Sequence, residues 1–328
     1  MADPGRSDGP LLVAVWPGMG QVALTAGYYL MSKLHMHEGE PLATQDLYDV
    51  GQIEVRDGLV QPPRLPRSRV FLWKNPAQGR DVVVLIGEAQ PPIGNLTFCR
   101  RVLDYADRLG VREVYTFAAM ATDVSLGAPE KVFGVVTHAE GRQKLKSEGV
   151  EILSSGSITG LNGILLGAAA LRGWRGVGLL GEIPAIAIQV PYAKASSAVL
   201  EVFSRLSGIR VDLAELREYG RTIEAQMAEL VERLRKAVEQ QRQQPSEEQP
   251  EEAVPESESE FPTSPEALAP GPTDADLRRI EELFALAGRE RSRAFELKRE
   301  LDRLGVFGKY EDRFLDLFRK PKESGPQS

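Results

Sequence analysis

The chain has 328 residues, enough to bury a large core, as one big domain or as one domain with appendages. A single cysteine, Cys99, excludes an internal disulfide and suits a reducing compartment, so a cytoplasmic location is expected. The formal charge of −7, from 47 acidic and 40 basic residues, argues against a nucleic-acid partner, and no run approaches the roughly 18 apolar residues that would call for a membrane.

Residues 1–9 mix Pro, Gly and charge where a signal peptide needs an unbroken apolar stretch, and are read as a disordered N-terminus. An α/β core is expected over 10–236. The apolar run 11–16 stops at Pro17 and Gly18 and leads into a helix over 21–34, a strand, turn and helix. Residues 39–69 are rich in Pro, Gly and charge and suggest an irregular excursion or hairpin. Strands follow at 70–74 and 81–87, the second a continuous Val82-Val83-Val84-Leu85-Ile86 of the kind buried on both faces. Leu96, Cys99, Val102, Leu103 and Ala106 form a helical stripe over 95–109, and 114–119 returns to strand.

A further strand at 131–137, a polar helix at 139–147 and a strand at 150–153 lead into the Gly-rich SSGSITGLNG. Residues 161–171 are apolar on nearly every side and predict a buried helix, followed by a strand at 177–180 and a closing helix at 192–206. The alternation predicts a three-layer fold: a largely parallel or mixed sheet flanked by helices.

From Leu213 the pattern changes. Leu216, Ile223, Met227, Leu230 and Leu234 step at heptad spacing along a long amphipathic helix. Residues 237–272 read as an acidic, Pro- and Glu-rich disordered linker. Between Gln243 and Leu277 there are eight Glu and two Asp without Lys or Arg, so the remainder of the chain carries about +3. A helical segment over 273–328 follows, with Thr273 as N-cap, a second stripe through Leu297, Leu301 and Leu304, and a short aromatic helix at Tyr310, Phe314, Leu317 and Phe318 that must dock on something. The two stripes either pack on the chain's own core or serve as interaction helices between subunits.

No catalytic signature emerges. Gly18-Met19-Gly20 before Ala23 fits a loose phosphate-binding turn, though the same glycines also serve a tight strand-to-helix turn; Gly18, Gly20 and Gln21 are kept as pocket candidates. Thr159, Gly160, Asn162 and Gly163 open a helix whose free N–H groups suit an anion or a partner's carboxylate, against plain capping and close packing. Glu88 and Glu182 each follow a Gly at a strand end, where two carboxylates at one sheet edge either share a site or act structurally. His35-x-His37 lacks a nearby third ligand and Cys99 sits in an apolar stripe, so no metal, cofactor or nucleophile is assigned.

The segments VAVWPGMGQVALTAGYYL, VVVLIGEAQP, GSITGLNGILLGAA and GVGLLGEIP, in that order over residues 10–236, resemble the proteasome assembly chaperone 2 family. The resemblance implies a phosphorylase-like α/β architecture, homo-oligomers, protein partners and, in some members, a chaperone-like role. The expected function is therefore an oligomeric scaffold without evident catalysis; the alternative is a binder or enzyme for nucleoside- or phosphate-like small molecules at the sheet's carboxyl edge.

Overall fold

Continuous apolar runs become the buried strands, and the three-to-four-residue stripes become the covering helices. The computed structural model describes residues 9–51, 53, 55–56, 58–243 and 272–319. β1 (Leu11–Val15) turns into α1 (Val22–Lys33); β2 (His37–Glu38), a small hairpin of β3 (Val55–Arg56) and β4 (Leu59–Val60), and β5 (Ser68–Trp73) follow. Next come β6 (Val82–Gly87), α2 (Asn95–Arg108), β7 (Glu113–Thr122), β8 (Val132–Val136), α3 (Ala139–Ser147), β9 (Glu151–Ile152) and α4 (Gly160–Leu171). β10 (Arg175–Pro184), α5 (Ala193–Ser207) and α6 (Ala214–Gln243) complete the core, and α7 (Asp274–Arg289), α8 (Ala294–Arg303) and α9 (Phe307–Asp316) form the C-terminal extension.

Eight strands make one mixed sheet in the order β2-β5-β6-β1-β7-β10-β8-β9. Its centre, β6-β1-β7-β10, is parallel. β5 and β8 run antiparallel to their inner neighbours, and two-residue strands, β2 and β9, form the edges. Successive residues of β1 face opposite layers. Leu11, Val13 and Val15 join the core under α1 and α5, while Leu12 and Ala14 join the one under α2 and α4. Three layers result. Helix α1 lies so close to β1 that a Cβ on Gly27 would stand 2.6 Å from Val15 Cγ2.

The extension packs on this same chain. Thr273 caps α7 reciprocally with Asp276. Phe295 meets Tyr29 edge-on at 4.7 Å, Phe307 and Phe314 meet Tyr28 at 5.2 and 5.7 Å, and Phe318 meets Phe71 at 6.1 Å. Lys298 and Asp302 pair at 2.6 Å in the same interface, with the ammonium 4.5 Å from the Phe307 ring centroid. Glu38 N–H donates to Phe318 C=O (2.8 Å), closing the outer side of β2.

Two expectations change, and one left open is narrowed. Helix α4 is not covered all round, for Leu171 is 78% exposed. The long helix does not stop at 236 but continues to Gln243; apart from 237–243 and Pro272, the expected linker lies outside the described residues, as do 1–8 of the expected disordered N-terminus and 320–328 of the tail. The heptad stripes are mostly spent inside the chain. Leu216, Met227, Leu297 and Leu301 are buried in its own core, and Ile223 and Leu304 pack against it, because the extension folds back onto α1 and α6. Only the distal part of α6 stays open: every described side chain from Ala228 onward is exposed, including Leu230 at 57% and Leu234 at 58%.

Candidate functional site

The carboxyl ends of β1, β7 and β10 meet the N-terminus of α4. After Trp16 the chain makes its tight turn with two successive left-handed residues, Gly20 (φ 58°) and Gln21 (φ 46°). Gly20 is buried. Its N–H donates to Ile188 C=O and its C=O accepts from Tyr192 N–H, both at 2.8 Å, so the turn is tied to the segment leading into α5. A Cβ on Gly20 would crowd Ile183 and Tyr192 as well as strain the backbone. Turn geometry and packing thus account for Gly20, and Gln21 points to solvent.

Thr159 precedes α4 in extended conformation without capping it by its side chain. Gln90, in the loop after β6, caps the helix instead. Its Oε1 accepts from Leu161 N–H (3.0 Å) while its Nε2 donates to Pro17 C=O (3.3 Å), joining the start of α4 to the end of β1. Gly160 (φ 72°) leaves room for it, since a Cβ there would lie 2.5 Å from Gln90 Oε1. Gly163 permits close packing, because a Cβ there would stand 2.2 Å from Ile158 C=O.

Between these elements opens a cleft of about 750 Å³, within the range of ligand pockets. Ala118, Met120 and Leu180 contribute apolar lining, and Gly18, Thr159, Gly160 and Asn162 line it together with Gln90. The Oδ1 atom of Asn162 is buried without a hydrogen-bond partner among the described residues. No lining residue carries a charge.

The two carboxylates lie elsewhere. β1 and β7 separate β6 from β10, which sets the two strand ends about 14 Å apart at ordinary strand spacing and removes any shared acid–base site. Glu88 accepts from Arg64 Nη2 (3.0 Å) and Arg67 N–H (3.1 Å), and both arginines also pair with Asp312 of α9. It is a clamp between the core and the extension. Glu182 accepts from Thr122 Oγ1 (2.9 Å) and leaves its Oε2 buried without a partner among the described residues, beside Tyr192 and Lys194 in a narrow crevice.

A denser polar node has Glu224 of α6 at its centre. Its carboxylate accepts from Gly127 N–H (2.8 Å), Tyr192 Oη (2.9 Å) and Lys194 Nζ (2.9 Å). Burial raises its pKa, but these donors outweigh that and hold it below the ordinary carboxylate range. Cys99 is buried and its thiol is pushed up to about 12 by desolvation, which leaves it a core residue. Among the described residues no three His, Cys, Asp or Glu side chains gather in a metal-ligating group, and no helix is long and apolar enough to cross a membrane.

The mixed sheet, the helical layers and the glycine-punctuated strand ends fall within one class: the chain belongs to the PAC2 family, whose family model matches residues 12–231. Among solved structures it is similar to the archaeal proteasome activator PbaB of Pyrococcus furiosus, with 26% identity, a TM-score of 0.58 and coverage of 70% of this chain and 96% of that one. A PAC2 family protein of Streptomyces avermitilis gives 26% identity, a TM-score of 0.59 and coverage of 67% and 95%. A proteasome-assembly chaperone homologue of Mycobacterium tuberculosis, at 24% identity, shares the fold with a TM-score of 0.59 and coverage of 67% and 94%. An uncharacterised protein of Methanocaldococcus jannaschii is 28% identical over 219 residues, 65% of this chain and 80% of its own length. The family match stops at residue 231, so α7, α8 and α9 lie beyond it.

Proposed function

We propose that the protein is a chaperone-like scaffold that assembles with copies of itself and holds protein partners, rather than a catalyst. The observation that carries this reading is the distal arm of α6. Its described side chains from Ala228 onward are exposed, yet Leu230, Val231 and Leu234 continue the stripe that is buried in the first half of the helix. Without a packing partner the arm is held chiefly by its continuity with the docked half of α6, since surface ion pairs such as Arg233 with Glu229 and Lys236 with Glu232 add only about 0.3–0.5 kcal/mol each. An apolar stripe in heptad continuity supplies what a second helix needs. Membership of a family that includes a proteasome activator and a proteasome-assembly chaperone homologue supports a protein-binding role.

Native mass spectrometry and sedimentation of the full chain test it. A wild-type oligomer that dissociates in the Leu230→Glu, Leu234→Glu double variant is the expected result. A wild-type protein that sediments as a monomer at every concentration would refute self-assembly through the arm.

A second reading, small-molecule binding, draws on the cleft with Asn162 Oδ1 unpartnered. Its uncharged lining favours a neutral nucleoside-like body over phosphate. Inosine at 100 times its dissociation constant would add about 2.7 kcal/mol to stability, visible as a thermal shift, and Asn162→Leu would abolish that gain.

A further inference from the structure

The outer edge of the sheet at β8 is only half covered. β9 pairs with Phe133 and Gly134, and Leu153 N–H donates to Gly134 C=O (3.1 Å) before the chain leaves the edge. On the inner side, Thr137 N–H donates to Gly176 C=O (3.0 Å). Backbone polar groups alternate sides along a strand, so Val136, two residues past Gly134, turns its N–H and C=O outward. No strand among the described residues lies there. His138 prolongs the extended backbone (φ −140°, ψ 148°) up to the start of α3.

This edge opens on a cleft of about 730 Å³, bounded by residues 134–138, by Ile152, Leu153 and Ser154, and by one face of α3. That face presents Arg142 and Lys146, both exposed and neither in an ion pair among the described residues. Lys144, by contrast, is committed to Leu206 C=O (2.7 Å). No carboxylate lines the cleft.

We infer that this edge takes an extended acidic peptide from a protein partner, which adds a strand beside β8 at Val136 and sets its carboxylates against Arg142 and Lys146. Main-chain pairing supplies the outward N–H and C=O with partners, and the cations select the charge of the incoming strand. Edge-to-edge pairing with β8 of a second copy is a poor fit, because it brings the same two cations to the same edge. The inference rests on the scaffold reading only in taking the partner to be a protein, and it does not involve the α6 arm.

Fluorescence anisotropy of the full chain with labelled Glu-Val-Glu-Val-Glu, Lys-Val-Lys-Val-Lys and a backbone N-methylated copy of the acidic peptide tests it. The acidic peptide binds, the basic one does not, and N-methylation at alternate amides removes binding without touching the protein. Arg142→Ala with Lys146→Ala weakens the acidic peptide about fivefold to tenfold, and the double change to Glu reverses the preference. Equal binding of acidic and basic peptides, no binding of either, or an N-methylated peptide that binds as well would overturn the inference. Retained peptide binding by the Leu230→Glu, Leu234→Glu protein separates this outcome from the fate of the oligomer.

Discussion

Phe314→Ala measures how the C-terminal extension is held. Phe314 is fully buried and meets the rings of Tyr28, Phe307 and Phe318 at 5.7, 5.5 and 5.8 Å. Truncating such a side chain costs about 3–5 kcal/mol, from lost transfer energy and the cavity left behind. At about 1.36 kcal/mol per decade, a loss of about 4 kcal/mol multiplies the undocked population of α9 roughly a thousandfold. Helix α9 has 10 residues, too few to persist alone, so undocking should expose its amides together with Glu38 N–H, which relies on Phe318 C=O. Native-state hydrogen exchange is the assay. Protection should fall by about three decades across α9 and at Glu38 while β1, β7 and β10 keep theirs. Unchanged protection, or an equal loss in the central strands, would refute docking as a separable step.

Three further outcomes follow from the packing. Burial raises Glu311, whose Oε1 accepts from Tyr28 Oη (2.6 Å), and raises Asp302, so the folded protein binds these protons more tightly than the unfolded chain and their contribution declines as pH rises above the ordinary values of 4.5 and 3.8. Burial also raises Glu38, but Arg69 and Arg319 outweigh it and leave that carboxyl low, so its contribution is lost on acidification below 4.5. Protection of the extension should therefore peak at about pH 4.5, and Glu311→Gln should flatten the fall toward neutrality in pH-dependent exchange. Glu224→Ala removes the acceptor of Gly127 N–H and Tyr192 Oη and leaves Lys194 with Ala128 C=O, and should cost about 1–3 kcal/mol by urea denaturation; no measurable loss would show the node to be solvent-screened. Gly27→Ala overpacks α1 against Val15 and should cost about 1–3 kcal/mol; Val15→Ala in the same chain should recover part of it, and simple additivity would contradict the contact.

The sequence carried the elements further than their arrangement. The run at β6 announced a strand buried on both faces, and Thr273 announced the start of α7, because both signals are local. Strand direction and order are not local. Nothing in the five residues of β8 says that it runs against β10, and of the two readings of Glu88 and Glu182 the structural one fits the strand order, because β1 and β7 intervene. Gly18, Thr159, Gly160 and Asn162 do line one cleft, since strand ends in a parallel centre converge, but Gln90 escaped notice. Its role is a hydrogen bond across 71 residues of chain, and no periodicity marks it.

The two rims of the sheet are finished differently. The Glu38–Phe318 hydrogen bond seals one from within, and Arg69 and Arg319 fix Glu38 in place. Endless side-by-side stacking needs two vacant rims on every molecule. With one of them closed by its own Phe318, side-by-side stacking of this protein cannot run on without end.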